Sequence, residues 1–109
     1  MERNDERIVL EFKEKLPLDI RSNLVKLIVF GSRARGDHTN VSDLDILALV
    51  KNKDAGLERK MEDAAYEIMW THDFNPLISL KIITESKFNE SYSRGFSFYR
   101  NIVREGVPV

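Results

Sequence analysis

Two short apolar runs, Leu27-Ile28-Val29-Phe30 and Ile46-Leu47-Ala48-Leu49-Val50, bracket a polar segment of 15 residues. That segment opens on Gly31-Ser32-Arg33-Ala34-Arg35-Gly36 and closes on Ser42-Asp43-Leu44-Asp45. Each run has strand length and is rich in branched residues, and the glycines punctuate what lies between them. The order this imposes is strand, tight turn, short helix, then a strand that enters carrying two acids. Strand side chains alternate, so Asp43 and Asp45 share one face while Leu44, Ile46 and Ala48 share the other.

The remaining elements follow from spacing. Ile8, Val9 or Leu10, Phe12 and Leu16 set a mostly helical apolar spacing in a charged segment, which Pro17 ends. Residues 24–30 form the first strand, a short helix begins near Ser32, and Asp37-His38-Thr39-Asn40 is an exposed loop. The second strand runs from Asp43 to Val50. A short loop over Lys51 to Gly56 follows, and the first two strands are expected as antiparallel neighbours. Leu57 to Trp70 is the clearest helix, with Leu57, Met61, Ala64 or Ala65, Ile68 and Met69 in one stripe. Beyond Pro76, Leu77 to Ile83 is a third strand, with Ser79 and Lys81 on one face. Ser86 is expected to cap a short helix through Phe88, and Phe96 to Arg104 a last helix stopped by Gly106 and Pro108. The expected architecture is one small α/β domain over residues 1–109, a short mixed sheet with helices on one face.

Size and charge narrow the function. A chain of 109 residues, 42% hydrophobic and 32% charged, suits a single small core in an ordinary globular composition. Seventeen basic and eighteen acidic residues leave a net charge of -1, which argues against a strongly basic nucleic-acid surface. No direct nucleic-acid partner is therefore expected. There is no cysteine, hence no disulfide or thiolate metal site. The polar N-terminal residues lack the apolar segment of a signal peptide, and no run approaches the roughly 20 apolar residues a bilayer span needs. The expected location is the cytoplasm, without membrane association. An oligomer or a partner chain would help so small a domain.

The chemistry concentrates in residues 31–45. Two carboxylates about 6.5–7 Å apart on one strand face can share a hard divalent cation such as Mg²⁺, which takes oxygen ligands including phosphate oxygens. Gly31 permits a tight turn or close approach, and the turn offers backbone N–H groups and the Ser32 hydroxyl to phosphates. Arg33 and Arg35 are candidates for phosphate contact, with solvent or a nearby acid such as Asp37 as the alternative. His38 and His72 have no partner at ligand spacing and are read as loop or surface residues. Taken alone, Asp-x-Asp is a common pair and Gly-Ser an ordinary turn; together, between two strands, they form a candidate metal–nucleotide site.

The combined motif resembles the minimal nucleotidyltransferases of the DNA polymerase beta superfamily. Their hallmark is Gly-Ser, ten intervening residues, then Asp-x-Asp; here Gly31-Ser32 is followed by Arg33 through Ser42, then Asp43-Leu44-Asp45. The aromatic segment Phe98-Tyr99-Arg100-Asn101-Ile102-Val103-Arg104-Glu105-Gly106 is similar to the family's closing helix, which often ends in Glu-Gly. The resemblance spans nearly the whole chain. It implies a polymerase beta-like fold and transfer of a nucleoside monophosphate from a nucleoside triphosphate, with ATP as the expected substrate. It also implies triphosphate binding by Gly31 and Ser32, with Arg33, Arg35 and Lys81 as further nucleotide contacts. Asp43 and Asp45 would be the catalytic residues and the ligands of Mg²⁺.

Many family members add a third carboxylate from the third strand, and the matching position here falls at Ser79. Asp73 and Glu85 are the nearest acids flanking that strand. Minimal members often pair with a small helical toxin of the HEPN class, and they act as its antitoxin by adenylylating a toxin tyrosine or by binding alone. The resemblance thus implies a HEPN-type toxin as partner. A contact-only antitoxin, with Phe96, Phe98 and Tyr99 as part of its surface, and a small-molecule nucleotidyltransferase are the alternatives. For at least two of those aromatics a place in the core is the preferred reading.

Overall fold

The computed structural model describes residues 1–109. Six helices and four strands follow one another along the chain: α1 (Arg3–Lys15), α2 (Leu18–Asn23), β1 (Leu24–Phe30), α3 (Ser32–Arg35), β2 (Leu44–Val50), α4 (Ala55–Thr71), β3 (Ile78–Thr84), α5 (Glu85–Ser93), α6 (Ser97–Glu105) and β4 (Val107–Pro108). The sheet order is β3-β2-β1-β4. β1 and β2 are antiparallel, with Phe30 opposite Asp45. β2 and β3 are parallel, and α4 supplies the crossover that parallel neighbours require. The result is the small mixed α/β sheet expected from the sequence. No helix is long and apolar enough to cross a membrane.

The main core lies on one sheet face. Ile8, Phe12 and Leu16 of α1, Ile20 of α2, and Leu57, Met61, Ala64 and Ile68 of α4 pack on Leu27, Val29, Leu44, Ile46, Ala48 and Val50. Each large aliphatic side chain buried there contributes about 1.5–3 kcal/mol. A smaller core lies on the opposite face, where Ile28, Leu47 and Leu49 meet Phe88 of α5 and Ile102 of α6. Helices therefore cover both faces, which corrects the one-face expectation. The physical reason is in β2 itself, whose residues 46–50 are all buried and show no polar alternation. A strand apolar on both faces needs cover on both. Phe98 and Tyr99 pack against this second core, while Phe96 remains 52% exposed.

Three local elements differ from the sequence reading. Pro17 ends α1 and also opens α2, a six-residue helix that buries only Ile20 and is too short to show a period. Helix α5 starts one residue earlier than Ser86 and runs to Ser93, because the Thr84 hydroxyl rather than Ser86 caps it, accepting from the Lys87 amide at 3.2 Å. After α6, Val107–Pro108 adds a short edge strand beside β1, and the Val109 amide donates to the Leu27 carbonyl at 2.9 Å. Proline is tolerated there because an edge strand leaves one side of its backbone unpaired.

Candidate functional site

The site forms where the end of β1 meets the start of β2. Gly31 leaves β1 at φ +75°, a left-handed conformation that a side chain would strain, and a β-carbon on it would collide with the Asp45 carboxylate. Glycine is thus favoured by the backbone conformation, and its missing side chain leaves the space that the carboxylate takes. The chain then makes one helical turn: the Arg35 and Gly36 amides donate back to the Gly31 and Ser32 carbonyls at 3.1 and 2.9 Å. Gly36 closes the turn in the left-handed region. The first N–H groups of such a turn have no acceptor within it.

Asp45 is half-buried and Asp43, just ahead of β2, is exposed. Burial pushes the Asp45 carboxyl above the ordinary carboxylate range, and the Asp43 charge pushes it further. Ser79, Lys81 and Arg35 pull the other way, each favouring the ionised form. Ser79 is the partner of Asp45 across the β2–β3 ladder, so the serine stands directly beside the acid. Lys81 follows on the same strand face, exposed, with its Nζ 5.9 Å from the centre of the Phe98 ring. Two carboxylates held together, one raised by the other's charge, are a donor set suited to a hard divalent cation, which would replace repulsion by shared coordination.

Arg33 departs from its expected phosphate role. Its guanidinium is buried, donates to both oxygens of Asp5 at 3.0 and 3.3 Å, and is 93% shielded from solvent against 99% for the aspartate. Its Nε donates to the Ser42 carbonyl at 3.0 Å. A cation fully engaged inside the protein cannot turn to a solvent-borne phosphate without leaving Asp5 buried and unpaired. Arg33 instead fastens α1, the turn at Ser32 and the residue preceding Asp43 to one another. Glu2, Asp5 and His38 bring possible ligand atoms within 4.8 Å of one another. The Asp5 oxygens are already bonded to Arg33, however, and His38 Nε2 lies 3.1 Å from Glu2, so the cluster anchors the 38–42 loop to α1. His72 bonds Glu11 at 2.7 Å.

Arg35 stays at the surface beside the turn. It reaches Asp37 at 3.1 Å and Glu105 of α6 at 3.6 Å. It also lines a hollow of about 190 Å³ with Phe30, Gly31, Phe98, Asn101 and Glu105. Spacing arguments along residues 31–45 do not find this hollow, because half of its wall comes from α6. The aromatic helix ending in Glu105-Gly106 was the available signal. Asp5 left no signal, being 28 residues from the arginine it serves. Asp73 stands at the α4–β3 turn with φ +55° and Glu85 opens α5 at the far end of β3, so neither shares the Ser79 rung beside Asp45.

Residues 6–107 match the nucleotidyltransferase domain family. The chain belongs to that family. Two Methanocaldococcus jannaschii proteins, each named "putative protein adenylyltransferase", are similar to this nucleotidyltransferase-family chain. One is 31% identical over 103 residues, covering 94% of this chain and 95% of that protein. The other is 32% identical over 91 residues, covering 81% and 92%. A crystal structure of a toxin–antitoxin with AMP-PNP shares the fold at a TM-score of 0.57 and 18% identity, over 96% of this chain and 71% of its own. The nucleotidyltransferase fold explains why a glycine turn, two strand-borne acids and a third strand converge at one sheet end.

Proposed function

We propose that this nucleotidyltransferase transfers AMP from ATP to a hydroxyl on a partner protein, in a reaction that needs Mg²⁺, and that it serves as the antitoxin of a HEPN-type toxin. The observation that carries the reading is the seating of the Asp45 carboxylate against Gly31, which brings the phosphate-sized turn and the acidic pair to one point. The names of the two archaeal relatives and the toxin–antitoxin neighbour support the choice of a protein acceptor.

In this reading Gly31 and Ser32 hold the triphosphate through turn amides and the Ser32 hydroxyl. Arg35 and Lys81 supply surface cations on either side. Asp43 and Asp45 would hold Mg²⁺, which when bound offsets phosphate charge and orients the α-phosphate. The acceptor oxygen forms a bond to the α-phosphorus, and the bond from that phosphorus to the bridging oxygen breaks. Pyrophosphate leaves with the electron pair, and the acceptor proton passes to solvent or to an ionised carboxylate of the pair. Titration of ATP by calorimetry, with and without Mg²⁺, tests the site. Metal-dependent binding in the wild type should vanish in folded Asp43→Asn/Asp45→Asn, and binding retained in that variant overturns the assignment.

A second reading rests on Ser79. A serine beside Asp45 can neither bind a second cation strongly nor take the acceptor proton as a carboxylate would. On that reading the protein neutralises its toxin by contact. Neutralisation retained by the Asp43/Asp45 double variant would favour it over transfer.

A further inference from the structure

The α4 layer ends in an aromatic surface that neither core uses. Tyr66, Trp70 and Phe74 stack edge to face, with ring centres 5.1 to 6.2 Å apart. Tyr66 is 52% exposed and Trp70 62%. They follow one another at four-residue spacing, so they continue one stripe off the end of α4. Aromatic rings clustered in water are the exception on a protein surface and mark places where another molecule sits.

Two further facts say what sits there. The first is continuity with the acidic pair. Phe74 leads into a hollow of about 330 Å³ lined by Val41, Ser42, Pro76 and Leu77. Val41 and Leu77 are 89% and 50% exposed. Ser42 is the residue before Asp43, and the Leu44 amide donates to the Leu77 carbonyl at 2.8 Å, so the groove adjoins the start of β2 where the pair stands. The hollow beside Gly31 and Arg35 lies at the β1 side of β2, among residues of the second core, and the groove at Leu77 lies at the β3 side. The second fact is charge. Glu62, Asp63 and Glu67 are exposed at helix spacing from Tyr66 and Trp70, and exposed Asp73 adjoins Phe74. Lys15, 3.5 Å from Glu67, is the cation bridged into this rim.

We infer that Tyr66, Trp70, Phe74 and the groove to Asp43 dock the acceptor protein, through an apolar contact ringed by that protein's lysine or arginine side chains. The inference rests on the protein-acceptor reading above and adds where the acceptor sits and what charge it carries. An acidic rim around an apolar centre attracts a basic partner and rejects an acidic one. An acceptor held there approaches β2 from the β3 side, and the Gly31–Ser32 turn stands at the β1 side, which leaves both substrates room.

Trp70 is the single tryptophan in the chain, so its emission reports on this surface alone. The probe is a random lysine–tyrosine copolymer, with a glutamate–tyrosine copolymer as its counterpart, titrated into the full chain while tryptophan is excited selectively. The lysine copolymer should shift Trp70 emission to the blue and saturate, and the glutamate copolymer should not. Glu67→Lys and Asp63→Lys should weaken binding at least about tenfold, as should Phe74→Ala, while Glu90→Lys on α5 leaves it unchanged. The two charge reversals lie on exposed positions and keep the test informative should Phe74→Ala fail to fold. No shift with the lysine copolymer, equal binding of both copolymers, or equal weakening by Glu90→Lys overturns the proposal. So does a sedimenting dimer that Trp70→Ala disperses, which would give the surface to a second copy. ATP binding by Asp43→Asn/Asp45→Asn, read separately by calorimetry, tells failure of the nucleotide reading from failure of this one.

Discussion

The Asp45 carboxylate occupies the space that a β-carbon on Gly31 would fill. A glycine in the turn and an acid on the neighbouring strand therefore form one structural unit, in which a side chain on the first displaces the carboxylate of the second. Gly31→Ala adds about 1–2 kcal/mol of left-handed backbone strain and pushes Asp45 aside. We expect a melting temperature lower by a few degrees and a loss of Mg²⁺-dependent ATP binding of at least about tenfold, well beyond the loss of fold. Calorimetry beside a thermal melt separates the two effects, and unaltered nucleotide binding would show that the close approach is incidental.

Asp45 should make stability depend on pH and on cation. Its folded carboxyl titrates above the ordinary range because of burial and the Asp43 charge. Below the unfolded value both states are protonated and the residue is neutral in effect. As pH rises through the raised folded value, the fold must hold a charge it disfavours, so stability is lost on going up and regained on going down. Asp45→Asn should therefore melt higher than the wild type at pH 7, with the gain fading in acid below the carboxylate range. Mg²⁺ should raise the wild-type melting temperature and leave Asp45→Asn nearly unmoved.

Removing one partner of the Arg33–Asp5 pair leaves the other charge buried alone. Arg33→Met or Asp5→Asn should each cost about 3–5 kcal/mol, and the double variant should recover a large part of that loss. Urea denaturation of the four proteins closes the cycle. Additive losses, with no recovery, would mean the pair is not coupled.

Ser79 is the position at which a carboxylate would complete a three-acid site. Ser79→Asp should tighten Mn²⁺ or Mg²⁺ binding roughly tenfold, since a third anionic oxygen joins the two present. Without metal it should melt lower than the wild type, because it adds a like charge beside Asp45 and removes a hydroxyl that favours its ionised form. Metal titration followed by melting temperature reads both effects, and unchanged cation affinity would place the Ser79 side chain outside the metal's reach.

Much of the frame was legible in residue order. Short branched runs bounded by glycine place β1 and β2 to within a residue, and the apolar stripe places α4. The spacing from Gly31-Ser32 to Asp43-Leu44-Asp45 identifies the family before any coordinate is known, because a turn and two acids on adjoining strands are local features that a linear chain can display. α2 and β4 escaped because six and two residues carry no measurable period.

What local sequence could not display is which distant groups share a charge or a surface. Arg33 and Arg35 stand two apart in one turn and look alike in the chain, yet helical rotation sends the first inward to Asp5 and leaves the second beside Asp37 and Glu105. The same holds for the helix layers, where the unbroken apolar run of β2 required cover on both faces but its suppliers, α5 and α6, lie about half a chain away. The sequence by itself determined the longer elements and the family, and it displayed the candidate turn and acids, since these depend on near neighbours. Only the tertiary structure decided which cation is spent in the core, which serine stands beside Asp45 and which aromatics remain in water, because burial and pairing are properties of contacts made across the fold.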